Sequence, residues 1–153
     1  MKLSTKGRYG LRALIDLALY SENETVSIAS ISARQNISES YLEQLIAKLR
    51  KAGLVTSVRG AGGGYKLAKP ASEISVGDIL RALEGSLDAV NGPGLEEESS
   101  CGGSEFCVTK YVWQKINDSI NRTVDEIKLD QLVEESRSMK DEAGTKENTS
   151  CCI

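Results

Sequence analysis

Three apolar stripes at helical spacing, followed at once by a glycine-tipped hairpin, constrain this chain more than anything else in it. Leu11, Leu14, Ile15, Ala18 and Leu19 recur at i, i+3, i+4, i+7 and i+8, which is one face of an amphipathic helix. The polar turn Glu22-Asn23-Glu24 ends it, and Ser27 is placed to cap a short second helix to about Arg34, with Ile28 and Ile31 inward. After Gln35-Asn36-Ile37, Ser38 is placed to cap a third helix whose Leu42, Leu45, Ile46 and Leu49 share a face. Ser40 and Glu43 offer an alternative capping pair two positions later. Gly53 stops that helix. The runs 54–58 and 65–67 then read as short strands joined by Arg59-Gly60-Ala61-Gly62-Gly63-Gly64. The expected fold is mainly α with a small β-hairpin wing: a winged helix-turn-helix, extended further along the chain by a long dimerisation helix.

Such an arrangement inserts the N-terminal end of its third helix into the DNA major groove. With Leu42, Leu45 and Ile46 reserved for the core, the exposed candidates there are Ser38, Glu39, Ser40, Tyr41, Glu43 and Gln44. Glutamine pairs with the adenine edge and glutamate accepts from cytosine N4, so Gln44 and Glu43 have the chemistry of base readers. Lys48, Arg50 and Lys51 follow on the same helix and suit phosphates. Arg59 at the hairpin tip suits a narrow minor groove, where negative potential is enhanced. Glycine at four of five tip positions, Gly60, Gly62, Gly63 and Gly64, exceeds what a turn needs for positive φ, which points to close approach of another backbone.

Composition narrows the chemistry. The 153 residues include no histidine, which removes Ser-His-Asp and Cys-His pairs, His-ligated zinc and the usual near-neutral general base. The glycine-rich tip lacks the Lys-Ser/Thr of a phosphate-binding loop. No apolar run approaches the ~18 residues of a membrane span, and the first residues lack the apolar centre of a secretory signal. A cytoplasmic protein that is not an enzyme is expected. The net charge of −3 conceals an asymmetry: residues 1–70 hold 11 Lys and Arg against 5 Asp and Glu, whereas residues 71–153 hold 8 against 17. A basic half beside an acidic half suits a nucleic-acid-binding module joined to an oligomerisation or sensing part.

The organisation expected on this basis is a DNA-binding core over 1–70, a connecting helix within 71–90, a sensor loop over 91–107, a dimerisation helix region over 108–135 and a flexible tail over 136–153. Ser75 is the expected cap of the connecting helix. The loop carries Asn91-Gly92-Pro93-Gly94, Glu96-Glu97-Glu98, Cys101 and Cys107, and loops of that length in small domains are usually functional or disordered. Val108, Val112, Ile116, Ile120, Val124 and Ile127 then step by about four, with Tyr111 and Trp113 beside the stripe. A lone helix of this kind covers its stripe with the DNA-binding half or with a second copy, and the reading of paired half-sites favours the copy.

Three motifs carry a resemblance: Met1-Lys2-Leu3-Ser4-Thr5-Lys6-Gly7-Arg8-Tyr9-Gly10, Ser40-Tyr41-Leu42-Glu43-Gln44-Leu45, and Gly53-Leu54-Val55 through the tip to Tyr65. From residue 1 to about 135 the chain resembles the bacterial winged-helix transcription regulator family of IscR, NsrR and CymR. The resemblance implies a homodimer on palindromic operators in double-stranded DNA. Ser38 to Gln44 would lie at the major groove, Arg59 and its glycines in the wing, and the helix of 108–127 at the dimer crossing. Cluster-binding members carry three cysteines before that helix and a further ligand, such as histidine, three residues after the last. By that pattern Cys101 and Cys107 take the second and third cysteine places, Leu95 falls near the first, and Lys110 stands in the histidine place. Where members draw a ligand from the partner's first helix, this chain offers Arg8 and Asp16.

The cysteines leave several readings open. A [2Fe–2S] cluster ordinarily takes four protein ligands, so Cys101 and Cys107 need help from Lys110, Glu105, Glu96 to Glu98, or Cys151 and Cys152. Five intervening residues exceed the usual spacing of a zinc knuckle. A reversible Cys101–Cys107 disulfide is a second reading, and unreactive cytoplasmic thiols a third. Resemblance to the cluster-free CymR type implies a different partner, O-acetylserine thiol-lyase, whose active site accepts peptides ending in isoleucine; this chain ends Ser150-Cys151-Cys152-Ile153. A protein-interaction adaptor without specific DNA binding is the remaining alternative.

Overall fold

The structure, a computed structural model, describes residues 3–89 and 104–144, with side chains described from Val108 onward in the second stretch. Helix α1 (Thr5–Tyr20) starts where the Ser4 hydroxyl accepts from the Lys6 N–H. Helix α2 (Ile28–Gln35) starts at Ser27, whose hydroxyl accepts from the Ser30 N–H, and ends on Asn36 at φ 53°. Helix α3 (Glu39–Lys51) follows directly, making α2 and α3 a helix-turn-helix pair. Ser38 takes the cap position of α3 but makes no side-chain cap hydrogen bond, and Ser40 and Glu43 lie within the helix. Strands β1 (Val55–Val58) and β2 (Gly64–Leu67) pair antiparallel, with Val55 opposite Leu67 and Val58 opposite Gly64. A 3-10 turn at Ala71–Glu73 leads to α4 (Val76–Glu84), which opens with a reciprocal Ser75–Asp78 capping box. Helices α5 (Ser104–Glu126) and α6 (Leu129–Ala143) complete the described chain. Among the described residues no helix is long and apolar enough to cross a membrane.

The core forms where the predicted stripes meet. Leu14 and Leu17 of α1, Ile31 of α2, Leu42 and Leu49 of α3, and Ile79 of α4 are fully buried. Helix α4 approaches α1 closely at Gly10, where an added Cβ would lie 2.1 Å from Leu83 Cδ1. The hairpin is joined to the helices by Val26, which exchanges backbone hydrogen bonds with Tyr65, both at 2.8 Å. That bridge gives the wing a third backbone neighbour.

The stripe expected over 108–127 ends close to where expected, at Glu126, and the rest of the dimerisation region assigned to 108–135 lies beyond a break in the helix. Val76 N–H donates to Ile127 O at 2.9 Å and Leu129 N–H donates to Ile74 O at 2.8 Å, so Lys128 is extended and bridges Ser75. Past the break, Leu129 and Val133 of α6 are buried in the main core. This is a correction to the dimerisation region: its last turns belong to the monomer's core. Residues 136–143, expected to begin a flexible tail, are helical instead. Arg137 of α6 pairs with Glu22, and Lys140 Nζ donates to Tyr20 Oη at 2.9 Å, which fastens α6 along the end of α1.

Candidate nucleic-acid interface

Burying Leu42, Leu45, Ile46 and Leu49 fixes the rotation of α3. At 3.6 residues per turn the opposite side must carry Ser40, Gln44, Lys48 and Lys51, and all four are exposed. Ser38, Glu39, Glu43 and Arg50 are exposed as well. Arg50 Nη1 lies 3.5 Å from Ser57 Oγ on β1, so one flank of α3 adjoins the wing. Lys48, Lys51 and the exposed Arg59 have no acidic partner among the described residues. Tyr41 differs from the other candidates expected to be exposed there. Its ring is half-buried edge-on against Tyr9, with centroids 6.1 Å apart, and its hydroxyl lies 3.3 Å from Thr5 Oγ1. It faces α1, because its place on the helix is beside the core face and not opposite it.

Three of the four wing glycines also have a reason within the protein itself. Gly60 has φ +110°, a conformation side chains rarely adopt. A Cβ at Gly63 would stand 2.6 Å from Val58 O, and one at Gly64 would stand 2.7 Å from Val26 O. The backbone approached at Gly64 is therefore the protein's own. Gly62 differs: a Cβ there meets nothing within 4 Å, and its carbonyl accepts from Thr25 Oγ1 at 2.6 Å.

Three arginines away from this face, Arg34, Arg81 and Arg137, are paired internally with carboxylates. Asp16, 1% exposed, accepts from Arg34 at 2.7 Å and from Gln35 Nε2 at 2.8 Å. The hydrogen bond to Asp16 raises the Arg34 pKa against the opposing effect of burial. This pairing occupies the first-helix carboxylate that sequence offered as a ligand for a partner's site, while Arg8 is exposed. On α4, Arg81 grips Asp125 of α5 at 2.7 Å and Asn121 at 2.8 Å. The Arg81 hydrogen bond lowers the Asp125 pKa. One turn later, Glu84 Oε1 accepts from Ser4 N and Gly7 N, both at 2.9 Å, and from Ser4 Oγ. Burial pushes Glu84 up, but these hydrogen bonds outweigh it and its pKa is lowered. Sequence reading missed Arg81 and Glu84; their spacing of three on a helix was the available signal, but not which partners they would meet.

Of the candidate metal ligands, Cys101, Glu96 to Glu98, Cys151 and Cys152 lie outside the described residues, as does Ile153. Cys107 lies in the first turn of α5, and Lys110, half-buried, three residues further along the same helix. Among the described residues no group of three or more His, Cys, Asp or Glu is placed to hold a metal ion. The described part thus supplies one end of a possible ligand set and not a complete one.

The chain matches the family Rrf2, iron-dependent transcriptional regulator, over residues 3–135. The transcriptional regulator IscR of Pectobacterium atrosepticum is 49% identical over 133 residues, which is 87% of this chain and 79% of that protein. Among solved structures, CymR, the global cysteine regulator of B. subtilis, is similar with a TM-score of 0.74 and 40% identity, covering 88% of this chain and 98% of that one. IscR of T. potens has a TM-score of 0.65 and 45% identity, covering 98% of this chain and 94% of that one. A helix-turn-helix with a glycine-tipped wing, a family match over most of the chain and relatives of this similarity lead to one conclusion: the chain belongs to the Rrf2 family of winged-helix, DNA-binding transcription regulators, which are not enzymes.

Proposed function

We propose that this protein regulates transcription in the cytoplasm as a homodimer on palindromic operators, with α3 in the major groove and the Arg59 wing over the neighbouring minor groove. The observation that carries this reading is the outward face of α3, where Ser40, Gln44, Lys48 and Lys51 are exposed together, with the wing adjoining through Arg50 and Ser57. Ser38, Glu39 and Glu43 border that face, and Gly60, Gly62, Gly63 and Gly64 shape the tip. The dimer is supported by α5, on which Val108, Tyr111, Val112, Trp113 and Ile116 are all exposed, Val108 at 64%. A groove of about 440 Å³ lined by Tyr111, Val112, Ile116 and Ile120 suits the same helix of a second copy. The test is a mobility-shift titration with a palindromic duplex selected from a randomised pool. Specific retardation with steep salt dependence is expected, and weak, sequence-independent retardation would instead fit an interaction adaptor.

Sensing is assigned to the segment of Cys101 and Cys107. Support comes from the likeness to IscR and from the place of Cys107 at the start of α5, the helix given to dimerisation. Cys101 and Cys107 are the thiolates that would hold a [2Fe–2S] cluster, with Lys110 as a further donor. Such a cluster, when bound, would supply redox sensitivity to the segment that holds Cys101 and Cys107. Protein purified without oxygen is expected to absorb visible light, and Cys107→Ala to abolish that absorption. Colourless protein after supply of iron and sulfide would favour a second reading, supported by the likeness to CymR. In it the protein is cluster-free and acts with O-acetylserine thiol-lyase through Ile153, and removing Ile153 abolishes capture of that enzyme.

A further inference from the structure

We infer that Thr5 and Tyr41 together form a clamp for one phosphodiester of the DNA backbone, at the edge of α3 away from the wing. The inference rests on the proposed placement of α3 in the major groove. Tyr41 is drawn off the base-facing side by packing on Tyr9, and its hydroxyl emerges beside Thr5 on a different helix. The position of the phenol is fixed from behind. Arg12 lies over the Tyr9 ring at 5.5 Å and donates to Gln35 O at 2.8 Å, tying α1 to the turn that starts α3.

The two hydroxyls are 3.3 Å apart and exposed. Hydroxyl pairs usually close to about 2.7–2.8 Å, so this bond is loose, and a loose bond in water adds little to folding. Each hydroxyl can turn its proton to a third oxygen lying between them. An anionic oxygen there would receive two charge-assisted hydrogen bonds from groups fixed on two helices. The end of α1 does not compete for it, because Glu84 already accepts the Ser4 and Gly7 N–H groups. Arg8, on the next turn of α1, is exposed without an acidic partner among the described residues and adds positive potential. Phosphate contacts of this kind set register and orientation and carry no base preference.

Thr5→Val and Tyr41→Phe each delete a hydroxyl and keep the shape. The probe is a palindromic duplex selected by the wild-type protein, carrying a single neutral methylphosphonate moved along each strand. Wild-type affinity is expected to fall about tenfold when one flanking phosphate per half-site is neutralised. The T5V/Y41F double variant is expected to be about tenfold weaker on the unmodified duplex and indifferent to that substitution. Its loss should be equal on selected and scrambled duplexes, with an unchanged thermal midpoint. Unchanged affinity, retained sensitivity to the methylphosphonate, or a thermal midpoint that falls with affinity would each overturn the clamp. So would a changed base preference in Tyr41→Phe, which would make Tyr41 a base reader. If the wild-type protein selects no duplex at all, the DNA reading fails and takes the clamp with it; if only the variants fail to differ, the clamp fails alone.

Discussion

Helices α3 and α5 are both amphipathic and both present a face to solvent, yet the exposed faces have opposite chemistry. On α3 the outward positions are Ser40, Gln44, Lys48 and Lys51; on α5 they are Val108, Tyr111, Val112 and Ile116. A polar, positively charged face keeps its water until a partner returns equivalent hydrogen bonds and negative charge. An apolar face gains roughly 25 cal/mol for each Å² that it removes from water. The difference assigns unlike partners to the two helices: a polyanion to α3 and another apolar surface to α5. A regulator that reads paired half-sites needs both, since the second surface sets the spacing of the first.

The largest expected effect comes from putting charge on the apolar face. Val112→Glu with Ile116→Glu should yield a folded monomer whose affinity for a palindrome falls by roughly a hundredfold or more, as the linked second half-site is lost. Sedimentation, circular dichroism and mobility shift together check this, and a variant that remains a dimer would break the comparison. Next comes the polar face. Lys48→Ala with Arg59→Ala should weaken DNA binding about equally on all sequences and lower the salt slope by about one per lost contact, while Lys115→Ala on α5 leaves the slope unchanged. Gln44→Ala should cost about 1–3 kcal/mol at one base pair and relax preference there. Retained preference would remove Gln44 from the reading set.

The wing provides a sharper contrast within a few residues. Gly64→Ala should destabilise the fold by about 1–3 kcal/mol, since its Cβ collides with the Val26 carbonyl. Gly62→Ala should leave the thermal midpoint nearly unchanged and weaken DNA binding only. Equal losses of stability would mean that Gly62, too, serves the hairpin alone. The smallest effect is pH dependence. Glu84 and Asp125 both have lowered pKa values in the folded state, so their ionised forms favour folding. Their contribution is complete above the ordinary carboxylate range and is lost as pH falls through it toward the lowered values. The thermal midpoint should therefore fall on acidification, and Glu84→Gln should flatten that slope.

Much of the DNA-binding half was legible because its signals are local. Periods of three and four placed Leu14, Leu42 and Leu49 inside, and Ser27 and Ser75 marked helix starts that the structure keeps. The same periodicity placed Gln44 and Lys48 outside. It misplaced Tyr41, because a position beside the core face can turn either to a neighbouring helix or to the groove. It ended the stripe of α5 at Ile127, within a residue of the observed end, but gave no sign that Leu129 opens a further helix packed on the core.

By itself, then, the sequence determined the order of elements, the inward face of each early helix and the division into a basic and an acidic half. These depend on residues within a turn or two of one another. Only the tertiary structure decided that Gly64 makes room for Val26, that Asp16 is the internal counterion of Arg34, that Lys128 breaks the last helix by pairing with Ser75, and that Tyr41 meets Thr5. Each of these joins segments far apart in the chain. Such pairings arise because a buried carboxylate, an extended backbone or an aromatic ring must find its partner wherever packing brings one, and no local pattern encodes where that will be.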